Sequence, residues 1–267
     1  MLINTVLLFI QSVLPMFIII SLLLLRFTTK STSLVTYKNM IIMLGLTFTF
    51  VFALNRYMEN LSQLFDGKGT EIFFSFGYIL IYLCSALLFL LDNDHKINNA
   101  KKALAFVVFL LVFSLNGSHF ILYLTGFGAQ SSLLESAGIE SLVVGIILAM
   151  GICSSVAILL YFSLRYSDSN IHIKISCYFL LFFSLGQLMQ SITLLQQVDV
   201  LPLNYSFWNS TQFIAENSEL GQLFRVLFGY EARPSFMQLI IYVIAFFIPV
   251  LISKNRYFIR LSTGEKL

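Results

Sequence analysis

Asn116, Gly117, Ser118 and His119 stand together inside the run 113–130, F-S-L-N-G-S-H-F-I-L-Y-L-T-G-F-G-A-Q, whose other residues are apolar enough to lie in lipid. An unpaired polar group in hydrocarbon costs several kcal/mol, so such side chains turn toward a protein interior. There, amides and hydroxyls bond helix to helix or ligate a passing solute. A second cluster matches the first. Setting residues 7–20 beside 111–124 pairs Gln11 and Ser12 with Leu115 and Asn116, and Pro15 with His119. Each cluster carries a helix-disturbing residue, Pro15 in one and Gly117 in the other. Interrupted, polar-marked helices at corresponding places in two halves of a chain point to a transporter's central site. A proline kink with a few inter-helix hydrogen bonds accounts for the same pattern. A later face adds Ser184, Gln187, Gln190 and Ser191 at helical spacing. Imidazole ligates iron, zinc, copper or nickel, which makes His119 the candidate metal ligand. It would serve equally as a neutral bridge between helices.

Membrane helices must carry these residues. The chain of 267 residues is 58% hydrophobic and 11% charged, with a mean hydropathy of +0.87, whereas soluble domains are roughly 45–50% apolar. The sequence predicts an all-α, polytopic membrane protein of one domain, embedded in the cell (plasma or inner) membrane. Seven transmembrane helices are expected over about residues 3–25, 40–54, 72–91, 103–124, 139–164, 173–195 and 234–253. The segment 196–233 reads as an outer loop. Ser141, Gly145, Ala149, Cys153 and Ala157 recur every four residues along the fifth span, a small-residue stripe that lets a neighbouring helix approach closely. Cys84, Cys153 and Cys177 all fall within spans and read as packing residues.

Orientation follows from the basic residues. Of 16 Lys and Arg, only Arg56, Lys68, Arg225 and Arg233 fall on the side opposite the rest, which puts the N-terminus outside and the C-terminus in the cytoplasm. The first and fourth helices then cross in opposite directions. The two clusters therefore belong to inverted three-helix repeats, about 1–92 and 102–195, with the seventh helix outside the repeat. Acidic residues lean outward, and Glu71, Glu135 and Glu140 would collect cations at the mouth of a pathway. Avoidance of basic residues outside leaves the same imbalance behind. The transport path expected from these positions runs through Gln11, Ser12, Asn116, Ser118, His119, Gln187 and Gln190.

The last third carries more specific patterns. Residues 186–202 read G-Q-L-M-Q-S-I-T-L-L-Q-Q-V-D-V-L-P, the lone Trp208 follows, and residues 227–242 read L-F-G-Y-E-A-R-P-S-F-M-Q-L-I-I-Y. With Glu71-Ile72-Phe73 and residues 122–130, these stretches resemble the high-affinity iron permeases of oxidase-coupled uptake, of the fungal Ftr and bacterial Efe types. The resemblance implies iron as substrate rather than resident cofactor, and an outer ferroxidase or periplasmic iron-binding protein as partner. A second copy of the chain is a further candidate partner. The chain departs from the family at both Arg-Glu-Gly-x-Glu motifs, where it has residues 11–15, Q-S-V-L-P, and 115–119, L-N-G-S-H. The His-Glu pair that ends the family's sixth helix is replaced by Thr193 and Leu194.

Two functions remain open at this point. One is a permease for iron or another transition-metal cation, using neutral ligands and His119. The other is a transport-inactive paralogue acting as an accessory or assembly subunit of a membrane complex. No phosphate loop, metalloprotease helix or nucleophile elbow occurs, so no enzyme is expected. A net charge of +3 with no basic patch gives no footprint for nucleic acid.

Overall fold

The computed structural model describes residues 2–27, 37–91, 98–131, 137–170, 175–202, 206–216 and 218–263. Eight helices account for nearly all of them: α1 (Leu2–Phe27), α2 (Tyr37–Ser62), α3 (Gly69–Leu91), α4 (Asn98–Ser131), α5 (Ala137–Asn170), α6 (Ile175–Gln197), α7 (Glu219–Phe228) and α8 (Phe236–Thr263). Among the described residues six helices are long and apolar enough to cross a membrane: α1, α3, α4, α5, α6 and α8. The second expected span lies in α2, which is not among those six, so the expectation of seven spans is met for six helices. The segment read as an outer loop differs more, because it contains α7.

Lipid, not water, fits the outside of this bundle. Val144, Ile147, Leu148, Ile158, Leu159 and Phe162 on α5, with Val243, Phe247 and Leu251 on α8, are exposed. A water-soluble protein rarely leaves so continuous an apolar surface. The core lies among α1, α3, α4 and α6, where Leu14, Ile18, Tyr78, Val108 and Phe183 are fully buried.

Side chains facing the bundle have physical reasons for doing so. The α5 stripe packs against α1, and Ala149, Cys153 and Ala157 are all buried. There Ser21 donates from its hydroxyl to the Ala157 carbonyl at 3.1 Å, a contact that only small residues permit. Arg26, in the last turn of α1, donates to the Leu88 carbonyl of α3 at 2.7 Å and so satisfies a carbonyl near that helix's C-terminus. Asp168 accepts from the Ser176 N–H at 3.1 Å and places an anion at the start of α6.

The six helices before α7 meet in a particular set of pairs. In contact are α1 with α4, α5 and α6; α3 with α2, α4 and α6; α2 with α4; and α5 with α6. The short helix α7 packs on both α1 and α6, and α8 packs on α3 and α6.

Cys153→Phe, which forces a large ring into the α1–α5 contact, is expected to lower stability by about 1–3 kcal/mol. Leu159→Ala on the lipid face of the same helix should change it by less than about 0.5 kcal/mol. Thermal unfolding of both variants in one detergent checks the contrast.

Candidate functional site

Backbone interruptions bring oxygen atoms to one level of the bundle. Pro15, inside α1, has no N–H, so the Gln11 carbonyl loses its usual helical donor. Pro249 in α8 does the same to the Ala245 carbonyl, and there the Tyr82 hydroxyl takes over, donating at 2.8 Å. No described side chain donates to the Gln11 carbonyl.

The second interruption is α7 itself. It starts at the N-cap Ser218, whose side chain accepts from the Gly221 N–H, and ends at Gly229 in the left-handed region, φ 70°. The Gly229 N–H closes the helix on the Arg225 carbonyl at 2.9 Å, and the Tyr230 N–H on the Phe224 carbonyl at 3.3 Å. A Cβ at Gly229 would lie 2.9 Å from Gly186 Cα, and one at Gly186 would lie 3.0 Å from the Gly229 nitrogen. Both glycines are required by this backbone-to-backbone approach. Gly186 is well inside α6, and counting from Gln197 at 1.5 Å per residue puts it about 16 Å from that helix end, half of a hydrocarbon layer about 30 Å thick. The end of α7 therefore reaches the middle of the bundle. Non-helical backbone at that depth is tolerated only against protein or around a cavity.

The chain then climbs back to α8 through Glu231. The Thr193 hydroxyl donates to Glu231 Oε1 at 2.5 Å, and the Gln238 amide donates to Thr193 Oγ1 at 3.4 Å. Ser235 and Gln238 cap each other: the Ser235 N–H donates to Gln238 Oε1 at 2.7 Å, and the Gln238 N–H donates to Ser235 Oγ at 3.2 Å. This reciprocal pair is a capping box that starts α8, and the Gln196 amide ties it to α6 at 3.2 Å.

These elements enclose a narrow crevice lined by Gln11, Gly186, Gln190, Arg225, Gly229 and Glu231, with about 10 Å³ of free space, roughly one water. Arg225 is bound to Glu216 at 3.1 Å. Burial raises the Glu231 carboxyl above the ordinary glutamate range, opposed by the Thr193 hydrogen bond, the Arg225 charge and the Gln238 amide. On its other side Glu231 borders a cavity of about 260 Å³ between α6, α8 and the α7–α8 linker.

The residues singled out in the sequence fall into three groups. Gln11 and Gln190 line the crevice. Ser118 and Gln187 are buried, with Ser118 Oγ, His119 Nε2, Gln187 Oε1 and one oxygen of Glu71 buried and unpartnered. His119 belongs to the seam where α3 meets α4, stacked on Phe74 with ring centroids 4.3 Å apart, and where α3 meets α6 Ser75 donates to the Ser191 carbonyl at 3.2 Å. The third group is satisfied within its own helix, Ser12 donating to Leu8 at 3.1 Å and Asn116 to Val112 at 2.8 Å. Glu135 lies outside the described residues, as does the side chain of Glu140. No group of three His, Cys, Asp or Glu that could hold a metal ion occurs among the described residues.

Sequence reasoning did not single out Arg225 and Glu231, which complete the crevice. The signals present were Ser218 and Gly229, a helix start and stop around Leu223, Val226 and Leu227. Compared with known proteins, the chain matches no family model, no curated protein and no solved structure.

Because the folded state holds the Glu231 proton more tightly than the unfolded chain, its contribution to stability is fully present below the ordinary glutamate range. It is lost as pH rises through the raised value. Glu231→Gln does not titrate, so its melting temperature should gain on the wild type between about pH 4 and about pH 8. Melting curves across that range check this, and a constant difference would contradict it.

Proposed function

We propose that the protein is a membrane permease that passes a transition-metal cation, iron on the resemblance to iron permeases, through the centre of two inverted three-helix repeats. The reading is carried by one observation: Gln11, Gln190 and Glu231, residues with oxygen-bearing side chains, line one crevice at mid-bundle, beside the Pro15 interruption of α1. The C-terminal, electronegative end of the short helix α7 lies there too. Broken helices whose carbonyl ends face a cation are the recurring device of secondary transporters. Oxygen ligands replace a cation's hydration shell, and a carboxylate does so best. Glu231 brings a carboxylate to Thr193, next to Leu194, where the resemblance implies an acidic residue on the sixth span.

The repeat has its own support. Exchanging each of α1, α2 and α3 with α4, α5 and α6 maps the contacting pairs onto themselves: α1–α5 becomes α4–α2, α2–α3 becomes α5–α6, and α3–α4 becomes α6–α1. Helix α7 packs on both members of that last pair, α1 and α6, and breaks the symmetry on one side. On the orientation that the basic residues imply, with the N-terminus outside, the crevice lies toward the outer side of mid-bundle. Ferroxidase or iron-binding partners would dock at that outer face.

A second reading, a transport-inactive accessory subunit, is favoured by Arg225. Its fixed cation shares the crevice with Glu231 and would repel a metal.

Proteoliposomes loaded with a metal-sensitive dye separate the two. Uptake of ferrous iron, zinc or copper should fall at least about tenfold in Glu231→Gln, the loss of about 1.4 kcal/mol or more of ion binding, and fall also in His119→Ala. A folded wild type that passes none of the three metals supports the accessory role.

A further inference from the structure

The cavity of about 260 Å³ beside the crevice has a chemistry of its own. Its walls are almost entirely apolar, and four aromatic residues contribute: Trp208, Phe228, Tyr230 and Tyr242, with Met189 at the base. The polar groups around it are mostly committed elsewhere. The Tyr230 hydroxyl donates to the Ile214 carbonyl at 3.1 Å and shares a 2.7 Å hydrogen bond with Ser210. The Gln238 amide is occupied at both ends, by Ser235 and Thr193.

Glu231 is the exception. It lines the cavity with its carboxyl held by the neutral Thr193 hydroxyl and Gln238 amide, and no described basic side chain forms an ion pair with it. The nearest cation, Arg225, is paired with Glu216. A carboxylate on an aromatic, otherwise dry wall is a poor site for a hydrocarbon chain, which leaves the carboxylate without a counter-ion. It is equally poor for a hydrated metal ion, which finds no further oxygen ligands there. It suits an ammonium group attached to an apolar body, because aromatic faces attract cations and Glu231 supplies the opposite charge.

We propose that this cavity is a binding site for a small organic ammonium ion with an apolar body, held by Glu231 and the rings of Trp208, Phe228, Tyr230 and Tyr242. The site does not depend on metal transport, but it shares Glu231 with the crevice. Its occupant therefore competes with any cation bound there.

Trp208 is the chain's one tryptophan, so binding reads out directly in its emission. The purified protein in nanodiscs of neutral lipid would be titrated with hexylammonium, and with hexanol and hexanoate as neutral and anionic isosteres. Hexylammonium should give a saturable shift in Trp208 emission, with hexanol at least about tenfold weaker and hexanoate weaker still. Glu231→Gln should cost hexylammonium about tenfold and leave hexanol unchanged. Tyr242→Leu keeps the carboxylate and the volume near their original state and should weaken hexylammonium alone. Equal affinity for hexylammonium and hexanol in the wild type would overturn the proposal and mark the cavity as a lipid-chain site. So would a Tyr242→Leu variant, folded by its melting curve, that binds hexylammonium as the wild type does.

Discussion

The contact between Gly186 and Gly229 is the constraint on which the other features rest. Two backbones meet there without side chains between them, with a Cβ on Gly229 only 2.9 Å from Gly186 Cα. That approach lets α7 end at mid-bundle, with one flank on α1 and the other on α6. With the helix end fixed at that depth, the chain must return through Glu231 to reach α8. The return carries a carboxylate past Thr193 and ends in the Ser235–Gln238 capping box. A bulkier residue at either glycine would push α7 outward and separate Arg225 and Glu231 from Gln11 and Gln190.

The spacing of Gly229, Tyr230, Pro234, Ser235 and Gln238, G-Y-x-x-x-P-S-x-x-Q, thereby acquires physical content. Gly229 takes the left-handed turn, Tyr230 anchors the linker to Ser210 and Ile214, and Ser235 with Gln238 starts the next helix. These are requirements for building a re-entrant joint inside a membrane, where every loose N–H and carbonyl must find a partner.

Much of the fold was legible because lipid imposes it. The expected spans at 72–91 and 173–195 fall within two or three residues of α3 and α6, since an apolar run of membrane length permits little else. The α5 stripe was read correctly as packing for the same reason: small residues every four positions have one use between helices. Helix α7 was not legible by that route. Ten residues are too few to span, and Glu219 and Arg225 made the segment look like solvent-exposed loop. Its depth comes from tertiary contact, which no hydropathy window sees. The site was half legible for a related reason. Gln11 and Gln190 stood out as polar residues in apolar runs, whereas Glu231 was one acid among many in a polar stretch. Asn116 stood out equally, yet it hydrogen-bonds to Val112 within its own helix, an outcome that sequence spacing does not distinguish from a ligand's role.

The depth of α7 is best tested by a distance across the crevice. In a background free of Cys84, Cys153 and Cys177, cysteines placed at Gln190 and Arg225 would be treated in membranes with the shortest bis-methanethiosulfonate linker, and the joined peptides identified by mass spectrometry. If α7 ends against the middle of α6, the pair joins in high yield, while a control pair with Leu159→Cys in place of Arg225→Cys does not join. A chain in which 190 and 225 fail to link, although each cysteine alone is modified, has its short helix at the membrane surface, and the crevice does not exist.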